Sequence, residues 1–248
     1  MAEHLLDARE VRKTFGGVVA NDAISIAVAR GAIVGLIGPN GSGKTTFFNS
    51  VAGLHPIDGG SVRFDGRRLA GATMPEIARL GLLRTFQQPR IYGGISCREN
   101  LEASVAQAGE RPLDMFRRLP ARAHARALEL LRFVGLHDHR VLPAGQLSFG
   151  QKKLLELAMA LMNEPTMLLL DEPTAGIHPR AVEHVVDRLR RANSELNITL
   201  LVIEHNIPVI MGLAGTIYCL AQGRVLAAGT PAQVRADRRV IDAYLGAA

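Results

Sequence analysis

The chain has 248 residues, 48% of them hydrophobic and only 4% aromatic, with no tryptophan. That length buries a substantial core and fits one large α/β domain or a domain with a lobe. The formal charge of +6 is concentrated in residues 111–140, where basic side chains alternate with Ala, Leu and His and aromatics that could stack on bases are few. This speaks against a nucleic-acid platform and for a solvated helical face, or one lying beside anionic lipid headgroups. Cys97 and Cys219 are too few and too far apart for a disulfide framework or a thiolate metal site, which fits a reducing compartment. No apolar run approaches the roughly 20 residues that span a bilayer. The start, Met1 to Asp7, lacks the basic and apolar regions of a signal peptide. Work at a membrane is therefore expected to be that of a peripheral subunit.

In chain order, residues 5–30 alternate apolar and polar positions around Gly16-Gly17 and predict antiparallel strands. Phe15 sits just before that glycine pair, and its spacing alone fits an ordinary core or turn phenylalanine. Ile33-Val34-Gly35-Leu36-Ile37 predicts a short buried strand. It runs into Gly38-Pro39-Asn40-Gly41-Ser42-Gly43-Lys44-Thr45-Thr46, and residues 46–52 read as a helix. A strand, a glycine-rich loop of the form G-x-x-x-x-G-K-[ST] and a helix make a P-loop. The glycines let successive N–H groups converge on phosphate, and the helix dipole adds to the attraction. Lys44 is placed to reach the β- and γ-phosphates, and the Thr45 hydroxyl to ligate Mg²⁺. The chain is thus expected to bind a nucleoside triphosphate.

Asp58-Gly59-Gly60 marks a turn, residues 61–66 a short strand ending in another turn, and residues 82–87 a further strand. That strand ends in Gln87-Gln88 before Pro89, where a glutamine alone reads as a solvated loop residue. Residues 97–163 carry helical periodicity broken at 109–112, Pro120 and Pro143-Ala144-Gly145, and predict a helical lobe inserted into the α/β core. Leu147-Ser148-Phe149-Gly150-Gln151 opens its last helix, with Ser148 as N-cap and free N–H groups near Gly150 as a second phosphate site. Met167-Leu168-Leu169-Leu170-Asp171-Glu172 predicts a buried strand ending in two carboxylates, where an open α/β sheet places its chemistry. Beside a P-loop, Asp171 suits Mg²⁺, directly or through water, and Glu172 suits deprotonation of a water aimed at the γ-phosphate. Residues 198–203 predict another buried strand, followed by Glu204-His205-Asn206; residues 216–228 read as a hairpin and 230–245 as a helical closure.

Taken in this order, these motifs resemble the nucleotide-binding subunit of ABC transporters over nearly the whole chain. The resemblance implies a single domain, residues 1–248: an α/β P-loop core with an antiparallel β part (about 1–87 and 164–248) and a helical subdomain (about 88–163). Residues 38–46 match the Walker A loop, Gln87 the glutamine that touches Mg²⁺ and senses the membrane subunit, and Ser148, Gly150 and Gln151 the signature motif. Asp171 matches the Walker B aspartate, Glu172 the catalytic glutamate, His205 the switch histidine at the γ-phosphate, and Phe15 the aromatic that stacks on adenine. Phe149 replaces a signature glycine and His178 stands where many members carry the D-loop aspartate, two departures from the general pattern.

In the family, ATP with Mg²⁺ is sandwiched between the Walker A loop of one subunit and the signature of another. The resemblance therefore implies a head-to-tail dimer with a related or identical ATPase. It also implies two membrane permeases, an extracytoplasmic binding protein and a place at the cytoplasmic membrane face. Arg84-Thr85-Phe86-Gln87, the aromatic-bearing signature and the ending Tyr244-Leu245-Gly246 are most similar to branched-chain amino-acid importers. Urea or amide importers, lipopolysaccharide exporters and single-cassette soluble ATPases such as those of iron–sulfur assembly share much of the pattern and stay open. A metabolic P-loop kinase would have no use for the signature residues.

Overall fold

The computed structural model describes residues 4–85, 91–105 and 121–245. The chain divides into two compact units, one of residues 1–84, 166–175 and 190–248, the other of residues 85–165 and 176–189.

The first unit holds two sheets. β1 (His4–Phe15) and β2 (Val18–Ala29) form a long hairpin. With β4 (Gly59–Phe64) and β5 (Arg67–Arg68) they make an antiparallel sheet of order β2-β1-β4-β5. β3 (Ile33–Ile37) is inner to a six-stranded sheet of order β10-β9-β3-β8-β7-β6. Its partners are β6 (Leu82–Arg84), β7 (Met167–Asp171), β8 (Thr199–Ile203), β9 (Thr216–Ala221) and β10 (Arg224–Gly229). All neighbours are parallel except the β9–β10 hairpin. Every residue of β7 and β8 is buried, as a parallel strand covered on both faces requires.

Helix α1 (Lys44–Val51) follows β3 and buries Phe47 and Phe48 completely. Both join one core with Leu6, Ile24, Phe64, Leu36, Leu169 and Ile203, so residues of both sheets share a single hydrophobic cluster. Apolar burial of this kind is worth roughly 1.5–3 kcal/mol per large side chain. The unit also holds α2 (Met74–Arg79), α7 (Ile207–Leu213), α8 (Pro231–Ala236) and α9 (Arg238–Leu245).

The second unit contains α3 (Cys97–Ala103), α4 (Ala121–Phe133) and α5 (Phe149–Leu161). α6 (Pro179–Leu196) begins in it, so residues 176–189 group with the helical unit as well as the stretch expected from periodicity. The reason is close packing: a Cβ on Gly150 would stand 3.3 Å from Ile177 and 3.5 Å from Ala181. In the described part of the basic stretch, Arg122 and His124 lie exposed on α4, paired with Glu164 and Glu102, while Ala127, Leu130 and Leu131 face the core. Among the described residues no helix is long and apolar enough to cross a membrane.

Candidate active site

The phosphate loop is a backbone that only glycine permits at its two ends. Gly38 has φ +147°, and a Cβ there would lie 2.2 Å from the Leu220 carbonyl oxygen. Gly43, the N-cap of α1, has φ +99°, and its Cβ would lie 2.4 Å from the Ala20 carbonyl oxygen. Beside it the fully buried Asn21 donates Nδ2 to the carbonyls of Ala20 and Gly43, each at 2.9 Å, and so ties β2 to the loop. No side chain caps α1. Its first-turn N–H groups are left for an anion.

Lys44 is buried, and its Nζ donates to the carbonyl oxygens of Gly38 at 2.7 Å and Pro39 at 3.0 Å. Burial pushes its ammonium below the usual lysine range, with the Glu172 carboxylate opposing the shift. Thr45 is exposed one position further on.

The carboxylates of Asp171 and Glu172 stand together at the end of β7. Asp171, the last residue of β7, is buried, and its Oδ2 accepts from Arg84 Nη2 at 2.7 Å. Arg84, the last residue of β6, also donates to Asn49 Oδ1 of α1, and its guanidinium lies 5.8 Å from the Phe48 ring centre. One arginine with a largely covered side chain thus joins the phosphate-loop helix to the Asp171 carboxylate. Glu172 leaves the ladder with φ +50°, a left-handed backbone uncommon for a residue with a side chain. Its Oε1 is 2.9 Å from His205 Nε2, just past β8. The turn that carries His205 is organised by Glu204, which is buried. Glu204 accepts hydrogen bonds from the Thr174 N–H and hydroxyl, the His205 N–H at 2.9 Å and the Asn206 N–H at 3.0 Å.

The signature residues lie in the second unit, at the start of α5. The Ser148 hydroxyl accepts from the Gln151 N–H at 3.3 Å, and Gln151 Oε1 accepts from the Ser148 N–H at 2.9 Å, a capping box. Gln151 Nε2 lies 3.4 Å from His139 Nε2. Phe149 is 42% exposed and packs on Gly176, whose Cβ would stand 3.2 Å from the ring. His178 Nδ1 accepts from the Arg180 N–H at 3.4 Å at the start of α6.

Of the residues predicted from sequence, the first unit thus brings together residues 38–46, Asp171, Glu172 and His205, and the second brings together Ser148, Gly150 and Gln151. Phe15 ends β1, 44% exposed, edge-on to His55 at 5.4 Å with Lys13 Nζ 5.2 Å from its ring. Gln87 lies outside the described residues. Sequence reasoning passed over Asn21, and saw Asn49, Arg84, Glu204 and Tyr244 only as parts of motifs. The Thr45 hydroxyl and the Asp171 carboxylate are hard oxygen donors beside a phosphate loop, a set that fits Mg²⁺ bound partly by nucleotide and water.

A model of the ABC transporter family matches residues 21–175. The chain belongs to the ABC transporter family. It is an ABC ATPase, and a second model, described as the branched-chain amino acid ATP-binding cassette transporter, matches residues 224–248. The high-affinity branched-chain amino acid transport ATP-binding protein LivG of Salmonella typhimurium is 36% identical over 255 residues, covering 100% of both chains. BraF of Pseudomonas aeruginosa, with the same description, is 37% identical over 257 residues, again covering 100% of both. A probable LivG of Methanocaldococcus jannaschii is 32% identical over 98% of this chain and 97% of its own. Among solved structures, the ADP conformation of an ATP-binding cassette of an ABC transporter is 31% identical with a TM-score of 0.89, covering 98% of this chain and 99% of that one. The ABC fold expected from the motifs is therefore the fold observed.

Proposed function

We propose that this chain is the ATP-hydrolysing subunit of an importer for branched-chain or related amino acids, seated on the cytoplasmic face of the membrane. The observation that carries the catalytic reading is the placement of three groups at the ends of adjacent parallel strands. These are the Lys44 loop after β3, His205 after β8, and Asp171 with Glu172 at the end of β7. That edge of an α/β sheet is where ligands are bound and chemistry is done. The cargo reading draws on LivG and BraF, whose full lengths align with this chain, and on the C-terminal match to the branched-chain family model.

The loop amides and the start of α1 hold the phosphates, while Phe15 stacks on adenine. Lys44 leaves the Gly38 and Pro39 carbonyls for the β- and γ-phosphates, which return to it the counter-charge that burial removes. Thr45, Asp171 and Gln87 would hold Mg²⁺, which would supply neutralisation of phosphate charge. Glu172 accepts the proton of the attacking water, and its hydrogen bond to His205 orients it, while His205 reaches toward the γ-phosphate. Ser148, Gly150 and Gln151 serve the nucleotide of a second, related or identical ATPase, so two ATP molecules close a head-to-tail dimer. Closure and reopening drive two permeases fed by an extracytoplasmic binding protein.

The test is co-purification from detergent-solubilised membranes of the native cell, with uptake of labelled leucine in a deletion strain. Recovery of two multi-spanning permeases and a second ATPase, with leucine uptake lost on deletion, is expected. Recovery of soluble partners alone, or uptake unchanged by deletion, contradicts the importer.

A further inference from the structure

The hydroxyl of Tyr244, near the end of α9, accepts the hydrogen bond of the Gly38 N–H at 2.8 Å across 206 residues of sequence. Gly38 is the point where β3 ceases to be a strand. Its parallel pairing with β9 ends at Ile37 opposite Cys219, and the φ of +147° then turns the chain out of the sheet. An amide at such a point lies past the end of the ladder, yet Gly38 is buried. A buried N–H in that position needs a replacement partner, and the tyrosine supplies it.

The same residue holds the lysine from its other side. The Gly38 carbonyl, with that of Pro39, accepts the Lys44 ammonium. Tyr244 hydroxyl, Gly38 amide, Gly38 carbonyl and Lys44 ammonium are thus joined through one residue. Burial keeps the phenol neutral, its pKa pushed up to about 12, so it stays a fixed group throughout the physiological range. The helix that carries it is itself anchored, because Val240 is buried and the Asp237 carboxylate accepts from the Arg239 N–H at 2.9 Å at its start. Asp242 and Ala243 of the same helix line a cleft against Pro39, Asn40, Gly41 and Ser42, so α9 flanks the phosphate loop beyond the single hydrogen bond.

We propose that Tyr244 is a positioning residue for nucleotide binding, fixing the first turn of the phosphate loop through Gly38, so that the C-terminal helix sets nucleotide affinity. The inference rests on the reading of this loop as the ATP site.

The test uses the full-length chain with Tyr244→Phe, which removes the hydroxyl and keeps the ring. MgATP affinity, KM and kcat are measured together with hydrogen exchange at the Gly38 amide. Losing one hydrogen bond to a buried amide is expected to weaken affinity roughly five- to tenfold, to raise KM far more than it changes kcat, and to speed Gly38 exchange. Val240→Ala is the packing control. It loosens α9 but leaves the hydroxyl, and is expected to lower the melting temperature while shifting affinity less than Tyr244→Phe. Wild-type protein that fails to bind MgATP overturns the ATP-site reading itself. Wild-type binding with Tyr244→Phe within twofold of it and Gly38 exchange unchanged overturns the positioning role alone. Equal affinity losses in both variants also overturn it, reducing Tyr244 to helix docking.

Discussion

Two helix starts carry the proposed phosphate-binding residues of this chain, and they are held in opposite ways. The start of α1 has no side-chain cap of its own. It is fixed by Asn21 from β2 and by Tyr244 from α9 acting on Gly38, while Arg84 from β6 holds Asn49 in the last turn of the same helix. The start of α5 is closed by a box between Ser148 and Gln151, three residues apart. With no capping side chain, all the first N–H groups of α1 stay open to a ligand, and distant residues hold the helix in place. A helix that caps itself is a self-contained piece, suited to being presented to a nucleotide held by another subunit.

That contrast is sharpened most by Arg84→Ala. The variant leaves the buried Asp171 carboxylate without its guanidinium and removes the link to Asn49. Breaking a buried pair from one side costs about 3–5 kcal/mol, so the urea midpoint is expected to fall strongly; a midpoint near wild type breaks the contrast. Ser148→Ala removes only a local cap, and a loss of about 1 kcal/mol is expected in the same measurement. A loss as large as that of Arg84→Ala would mean that α5 too depends on tertiary support.

The smallest effect concerns pH. Burial lowers the Lys44 pKa in the free protein, and bound phosphates restore its charge, so nucleotide binds best to the protonated lysine. The sign follows: affinity is full at neutral pH and declines as pH rises through the lowered value of the free protein. Titration calorimetry between about pH 7 and about pH 10 is expected to show proton uptake that grows toward the alkaline end. Proton release there would contradict it.

What the sequence showed and what it hid divide along the same line. The strand–loop–helix at residues 33–52, the strand ending at Asp171 and the cap at Ser148 are local patterns, visible because their partners lie a few residues away. Of the strand expected over 82–87, Leu82–Arg84 pairs in parallel with Met167–Leu169 of β7, and residues 86 and 87 lie outside the described residues. Arg84 on Asp171, Glu204 on Thr174 and Tyr244 on Gly38 are 87, 30 and 206 residues apart, and no periodicity encodes such meetings. The grouping of residues 176–189 with the helical unit has the same origin, in the packing of Ile177 and Ala181 on Gly150.

The proposed chemistry is tested most directly by measuring MgATP binding and single-turnover hydrolysis in Glu172→Gln, in the presence of the partner ATPase. The amide keeps the shape of the side chain beside His205 but cannot take a proton from water. Binding close to wild type with hydrolysis slowed by about 10²–10⁴-fold is the expected result. Hydrolysis at the wild-type rate would remove Glu172 from the role of general base.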